Sequence, residues 1–348
     1  MKIIKAGYEF INEPSITKKI ERIARICYKS EDKIGEGTDL KMIRALIKRQ
    51  HTAMLEHGDV CMEVAGCVYE LITDITTMME NAITKKETDY DLKRCHLRRT
   101  SHYCTDGKTR FIVSGNMRAW YEFFLVASEL KALPEELYRT VNEAIGCLFD
   151  ESPIITKYGL GVYDDVWGTC LSAYVCNRII DFTVLTPKER MVHETFSVLF
   201  TVDRGVTHEM VRHRDECSFA QESTRYCNYN LGKFGNEITV IEPCFYSERD
   251  DEYNAWVSAM EDSEKHYFDL INAGSKPQEA RTVLPTSTKA DIVMTATLRE
   301  WKHIFNLRAC DSTGPAHPQI KEVMVPLLKD MQTSHSFAYG TMIPVEVK

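Results

Sequence analysis

The sequence predicts an α/β protein of mixed α+β type. Three features carry that prediction: helix-spaced apolar residues leading into strand-like alternation near the N-terminus, a return of that design after residue 193, and two stretches, 110–124 and 291–305, in which a strand turns directly into a helix.

A short apolar strand opens the chain. In SITKKIERIARICYKS, Ile16, Ile20, Ile23 and Cys27 fall at helical intervals, with Ser15 placed to cap them. TDLKMIRALIKRQ predicts a second helix that ends before His51. In HTAMLEHGDVCMEV, Val60, Met62 and Val64 alternate as a half-buried strand does. Phe196, Val198, Phe200 and Val202 repeat the alternation, and Asp203 and Arg204 end it. A helix should follow from about Gly205, turning Val206 and Met210 to the core and setting Glu209 three and four residues before Arg212 and His213 on a shared flank. The polar residues after it then lie at a helix end and in the loop that leaves it.

Downstream, DDEYNAWVSAMEDSEKHYFDLINAG reads as an acidic surface helix stopped by Gly274, and PQEARTVLP as a short helix closed by Pro285. ADIVMTATLREWKHIFNLR begins as a strand and turns helical, while AHPQIKEVMVPLLKDMQ gives a last helix bent or started by Pro326. RFIVSGNMRAWYEFF and DIVMTATLREWKHIF share Arg118/Arg299, Trp120/Trp301 and Phe124/Phe305. Three identities leave coincidence and duplication both open.

Length and composition bound the function. A chain of 348 residues makes one large domain or two ordinary ones, and 44% hydrophobic with 27% charged residues is a soluble globular balance. No apolar run approaches the roughly 20 residues of a membrane helix. MKIIKAGYEF lacks the features of a secretory signal, so a cytoplasmic location is expected. Twelve cysteines contain no C-x-x-C pair, which argues against zinc-ribbon and thioredoxin-like sites and favours buried thiols. A net charge of −8 argues against wholesale binding to a polyanion. Any bound phosphate must meet a local basic cluster.

RHRDECSFAQESTRY, residues 212–226, is such a cluster. Arg212, Arg214 and Arg225 are permanently charged forks suited to phosphate, and Ser223 and Thr224 add hydroxyls beside Arg225. Each charge-assisted bond contributes about 1.5–3 kcal/mol net, so two or three would hold a mononucleotide phosphate. Glu209 and Gln221 can read a base edge. The competing arrangement pairs these arginines with Asp215, Glu216 and Glu222 on a solvated face. Metal hydrolysis fails on spacing, because His208 and His213 are five apart and H-E-x-x-H is absent; no metal is expected. G-x-S-x-G, G-x-G-x-x-G and a Walker loop are absent too.

RHR followed by S-x-R-Y, inside DRGVTHEMVRHR and QESTRYCNY, with HTAMLEH before them and KFGNEIT, EARTVLP and FNLR after, resembles the flavin-dependent thymidylate synthases. The resemblance covers about residues 1–57 and 193–335. It departs in two places. The family places seven residues between RHR and the serine, whereas DECSFAQE gives eight, so Asp215, Glu216 or Cys217 is additional and a bulge is expected there. His57 and Arg212 are also 155 residues apart, while His193 stands nineteen before Arg212, where the family's histidine would stand. The resemblance therefore implies a catalytic domain from 1–57 and 193–348 and an inserted region, 58–192, that is either a plain insertion or a decayed partial copy of the core.

It also implies a central, mostly antiparallel sheet flanked by helices, and reductive methylation of dUMP to dTMP with methylenetetrahydrofolate as carbon donor, NADPH as electron source and FAD as hydride carrier. Carried over position by position, Arg212, His213 and Arg214 should touch FAD, with His51, Glu56, Arg299 and His303. The nucleotide dUMP should meet Ser223, Thr224 and Arg225 at its phosphate and Glu209, Gln221, Arg281 and Arg308 around sugar and base. Arg308 is the residue expected to polarise the uracil, its alternative being a surface pair with Asp311. A homotetramer with sites between subunits is implied, with no membrane and no nucleic acid as partner. Two rivals remain: a relative acting on another pyrimidine nucleotide or making another one-carbon product, and a nucleic-acid-binding protein using RHR on phosphates.

Overall fold

A computed structural model describes residues 1–64, 66–85, 97–103, 109–129, 135–145, 178–225, 229, 236–248 and 250–347. In chain order the strands are β1 Lys2–Ile4, β2 Gly7–Phe10, β3 Asp59–Val64, β4 Arg98–Tyr103, β5 Thr109–Asn116, β6 Arg178–Ile179, β7 Thr195–Asp203, β8 Cys217–Gln221, β9 Thr239–Ile241 and β10 Lys289–Thr297. The principal helices are α1 Ile16–Tyr28, α2 Thr38–Lys48, α3 Gly66–Lys85, α4 Met117–Glu129, α5 Glu135–Ala144, α6 Pro187–His193, α7 Arg204–Met210, α8 Asp251–Asn272, α9 Leu298–Arg308 and α10 Pro318–Ser334.

The sequence signals act where they were placed. Ser15 Oγ accepts from the Lys18 amide at 3.3 Å, and α1 buries Ile20 and Ile23 completely. Gln50 takes φ 57° just beyond α2, so the helix stops before His51. Gly274, at φ +96°, follows α8, and Pro277–Ala280 forms the short helix before Pro285. The last helix starts at Pro318 under a His317 cap, so Pro326 lies inside it and does not begin it. The larger difference is at 217–221. Those residues form β8 and not a loop, because Ser218 and Ala220 are buried there and pair with Thr295 and Val293 of β10.

The chain divides into two compact units. The first comprises Met1–Asn12, Ile23–Asp32 and Phe196–Lys348; the second, Glu13–Arg22 and Lys33–Thr195. HTAMLEH therefore falls in the second unit and RHR in the first.

In the first unit four strands follow the order β2-β7-β10-β8, with β2 antiparallel to β7 and β8 antiparallel to β10, and β1 runs parallel to β9. The strand β10 is buried from Ala290 to Thr297, with Ile292, Val293, Met294 and Ala296 as its apolar part, which suits a central position. It runs straight into α9, whose first turn is capped by Thr297 Oγ1 accepting the Glu300 amide at 3.1 Å. Trp301 is fully buried; its indole N–H donates to the Phe196 carbonyl at 3.4 Å and its ring stacks on Phe305 and Phe196. This packing fixes the face that α9 turns outward.

In the second unit the order is β4-β5-β3-β6, with β3 antiparallel to β5 and β6 and β4 antiparallel to β5. Its core gathers Val60, Met62, Val113, Trp120, Phe123 and Phe124. The antiparallel sheet is thus present twice, with helices against it each time.

Candidate functional site

The site belongs to the first unit and starts where α7 ends. Asp203 caps α7 by accepting the Val206 amide at 2.9 Å, and after Met210 the chain turns through Arg212–Arg214 into β8. Opposite lies α9. Arg212, His213, Arg214 and Asp215 on one side and Glu300, His303, Leu307 and Arg308 on the other line a cavity of about 380 Å³. That volume admits one ring system and not a whole dinucleotide.

Arg308 joins the two sides. Its Nη1 donates to Glu209 Oε2 at 2.9 Å and its Nε to His213 Nε2 at 3.3 Å. The expected alternative, a pair with Asp311, is not formed, since Lys321 holds Asp311 at 2.5 Å. A histidine that accepts from a guanidinium is neutral at that nitrogen. Burial, then Arg308 and His303, push the His213 pKa down to about 4. Glu300 shifts the other way, up to about 7, through burial first and then the nearby Asp215 and Glu216.

His213, Glu300 and His303 bring ligand-type atoms within 4.8 Å of one another. They are a poor cation site as arranged, because Arg308 engages His213 Nε2 and three arginines line the same space. The donor set suits an anion or an electron-rich ring.

Of the three candidates for the additional residue, Glu216 alone has a left-handed backbone, with φ 49°. Its carbonyl accepts the Thr297 amide at 3.3 Å, its carboxylate accepts Thr297 Oγ1 at 2.7 Å, and Arg299 pairs with it. Arg299 is turned to Glu216 and is exposed.

The second cluster lies at the other end of β8. The Ser223 amide donates to the Cys27 carbonyl at 3.3 Å, the Arg225 amide to Ser223 Oγ at 3.4 Å, and Arg281 Nη1 to Thr224 Oγ1 at 3.4 Å. Gln221 Nε2 donates to Thr207 Oγ1 of α7 at 3.0 Å. Ser223, Thr224, Arg225, Arg281 and Gln221 are therefore brought together around one turn.

Beneath that turn is a four-charge knot that sequence reasoning missed. Lys289 Nζ donates to Glu222 Oε2 at 2.8 Å and to Asp291 Oδ2 at 2.6 Å; Lys29 pairs with Asp291 and lies 3.6 Å from Glu222. Glu222, taken above as a surface partner for arginine, is 2% exposed. Burial would raise the Asp291 pKa, but Lys289 and Lys29 hold it below the usual carboxylate range. Lys289 and Asp291 stand two apart on one face of β10, a signal available in the sequence. Nothing local points to Lys29.

His51 and Glu56 are not part of this cavity. Both belong to the second unit, where His51 is exposed ahead of the turn Thr52–His57 and Glu56 accepts Arg118 Nη1 at 2.8 Å.

An antiparallel α/β unit thus presents an arginine-lined, ring-sized cavity and a Ser-Thr-Arg turn, both of a chemistry suited to anionic ligands. Residues 176–335 match the family profile described as "Thymidylate synthase complementing protein". Among curated relatives, the flavin-dependent thymidylate synthase of Pyrococcus furiosus is 34% identical over 142 residues, 40% of this chain and 55% of its own length. That of Corynebacterium glutamicum is 30% identical over 154 residues, 40% and 58% of the two chains. That of Thermococcus kodakarensis is 28% identical over 183 residues, 51% and 72%. Through this segment the chain is similar to the flavin-dependent thymidylate synthases. It spans little more than half the length of the first two of these relatives. A solved UMP/dUMP methylase PolB from Streptomyces cacaoi, bound with 5-Br dUMP, covers 98% of this chain and 96% of its own at 13% identity and a TM-score of 0.38. Among the described residues no helix is long and apolar enough to cross a membrane.

Proposed function

We propose that the protein is an enzyme that methylates dUMP to dTMP, taking its carbon from methylenetetrahydrofolate and its hydride from FAD reduced by NADPH. One observation carries the reading: Arg308, in bonded reach of His213 and Glu209, faces a ring-sized cavity walled by RHR, in the segment that matches the family.

The residues fit a flavin in kind. Arg212 and Arg214 offer exposed forks to a pyrophosphate, and neutral His213 with the neighbouring ring of His303 offers flat faces to a ring. When bound, the flavin supplies the hydride. This chain supplies placement and charge. Ser223, Thr224, Arg225 and Arg281 hold the nucleotide phosphate, with Gln221 and Glu209 toward sugar and base. Two of the five N–H donors of Arg308 are engaged by Glu209 and His213, which aims the remaining ones at a uracil carbonyl. Negative charge developing on that oxygen is stabilised there. Cys217 donates to the His213 carbonyl at 3.1 Å and acts in the turn, not as a nucleophile.

The resemblance further supports assembly as a homotetramer in the cytoplasm. One observation favours a second reading, another pyrimidine nucleotide as substrate: Glu216, a candidate for the additional residue, takes a left-handed backbone just after the cavity residue Asp215 and accepts from Thr297 Oγ1. The deciding experiment gives purified protein dUMP, UMP and dCMP side by side with methylenetetrahydrofolate and NADPH, and follows methylated product and flavin absorbance. Yellow protein making dTMP supports the proposal; methylation of UMP or dCMP instead selects the second reading. A colourless protein that binds DNA in a salt-dependent way would overturn both.

A further inference from the structure

We infer that the chain is a tandem repeat of one core whose first copy has lost its ligand-binding face, so that each chain carries a single nucleotide site. The inference rests on the proposed function only for the identity of the ligand.

The sheet of the second unit, read β6-β3-β5-β4, has the plan of the first unit's β2-β7-β10-β8. Each central pair is followed at the same point by a helix: β5 runs into α4 as β10 runs into α9. The correspondences continue atom by atom. Asn116 Oδ1 accepts the Ala119 amide at 2.8 Å, as Thr297 Oγ1 accepts that of Glu300. Trp120 Nε1 donates to the Val60 carbonyl at 3.3 Å, as Trp301 does to Phe196. Trp120 stacks on Phe124 with centroids 5.8 Å apart, and Trp301 on Phe305 at 5.6 Å. Ser114 lies opposite Cys61 and Arg98; Thr295 lies opposite Ser218 and bonds Ser197 at 2.5 Å. One set of offsets satisfies all of these: 136 from β3 to β7, 120 from β4 to β8, and 181 from β5–α4 to β10–α9. Chance would not keep three offsets constant through caps, indole bonds and register.

The edge strands supply an independent sign. β2 precedes β3 in the chain but pairs with β7, whereas β6 precedes β7 but pairs with β3. The phase of the two pairings agrees. The Ile11 amide donates to Ser197 O at 2.9 Å and the Ile180 amide to Cys61 O at 3.0 Å, again 136 apart on the acceptor side. Two copies that exchange their first strands give this pattern. A plain insertion has no reason to.

The copies differ where ligands would bind. Glu300, His303, Leu307 and Arg308 line the cavity of the first unit; 181 residues earlier stand Ala119, Glu122, Val126 and Ala127, with both alanines fully buried. Ser223, Thr224 and Arg225 have Tyr103, Cys104 and Thr105 at the matching places, and the counterparts of RHR fall among residues outside those described. The heads of the copies differ in the opposite direction: His51 and Glu56 become Pro187 and Val192. Framework residues are kept in both copies, and binding residues are kept once.

Four double-cysteine variants of the full chain test the exchange, with cross-links located by peptide mass mapping after oxidation. Phe10→Cys/Val198→Cys and Met62→Cys/Ile179→Cys join the observed neighbours, each a directly opposed pair without its own hydrogen bonds, where Cβ atoms come closest. Phe10→Cys/Met62→Cys and Val198→Cys/Ile179→Cys join the neighbours of an unexchanged fold. Linking in the first two variants alone is expected. Linking in the last two, or in none while circular dichroism reports folded protein, overturns the repeat. Equilibrium dialysis of unmodified protein against dUMP, which needs no variant to fold, should give one equivalent per chain; two equivalents overturn the loss of the first site. Zero equivalents would strike the proposed substrate and the single site together, leaving the repeat to the cross-links.

Discussion

Replacing Lys289 by methionine tests whether the buried charge knot holds the Ser223–Arg225 turn. In the native chain two lysines balance two carboxylates, with Glu222 and Asp291 only 2% and 8% exposed. The variant leaves Lys29 facing both, a net buried charge of about −1. Breaking a buried pair costs about 3–5 kcal/mol when one charge is left uncompensated. Because Lys29 still reaches both carboxylates, about 3 kcal/mol is expected. Urea unfolding should show it as a lower midpoint at unchanged slope. The double variant Lys289→Met/Asp291→Asn restores one cation to one anion and should recover more than half of the loss. Glu222 immediately precedes Ser223, so the single variant should also raise the KM for dUMP about tenfold, the worth of one charge-assisted bond, with kcat within about twofold; Lys289→Arg should restore it. Stability within about 0.5 kcal/mol of native, or a double variant no better than the single, would refute the reasoning.

Arg225→Ala should raise the dUMP dissociation constant at least about tenfold in calorimetric titration while bound FAD stays. Unchanged affinity would remove Arg225 from the clamp. Arg308→Met should lower kcat by about 10²-fold or more, the scale of losing one oriented donor at a developing oxyanion, and initial rates at saturating dUMP measure it. Glu300 is held protonated in the fold up to about pH 7. The native state therefore binds a proton that the unfolded chain has released, and stability falls as pH rises from about 4.5 to 7. Glu300→Gln should accordingly be more stable than native at pH 8, with the gap closing toward pH 4.5 in parallel urea titrations; a gap independent of pH would show that burial does not govern this carboxyl.

How far the chain could be read before its structure depended on the range of each signal. Caps and breakers are local, so Ser15, Gly274 and the alternation through Val198–Val202 placed their elements correctly. The strand β8 is hidden in the sequence because the buried positions of C-S-F-A-Q are the small Ser218 and Ala220 while Phe219 lies on the other face, and only pairing with β10 shows that Ser218 is an inside residue. Motif order groups Glu209 and Arg308 with Ser223, Thr224, Arg225 and Arg281, whereas the structure sets Glu209 and Arg308 beside His213 and His303 and gathers only Thr224, Arg281 and their neighbours at the other end of β8. Lys29 could not be found this way. It meets Asp291 across 262 positions, and no composition or period reports a contact of that span.

The charge state of the cavity follows from which groups the fold keeps neutral. Counted as free side chains, its lining and Glu209 hold three arginines against Glu209, Asp215 and Glu300, a near balance with no preference between ions. Burial changes the count. Glu300 keeps its proton up to about pH 7, and His213 stays uncharged down to about 4 because it is buried and because Arg308 and then His303 face its ring. At and below neutral pH the cavity is then positive by about one charge, in a place where partial desolvation strengthens every interaction. An acidic protein thereby presents a locally positive cavity beside its RHR motif, and the same balance leaves a His/Glu/His cluster with metal-like spacing poorly disposed to a cation. Glu300→Gln keeps that positive balance above pH 7 whereas the native cavity loses it, so the ratio of variant to native dUMP affinity should rise between pH 6 and pH 8.5. A flat ratio would place Glu300 outside the electrostatics of the site.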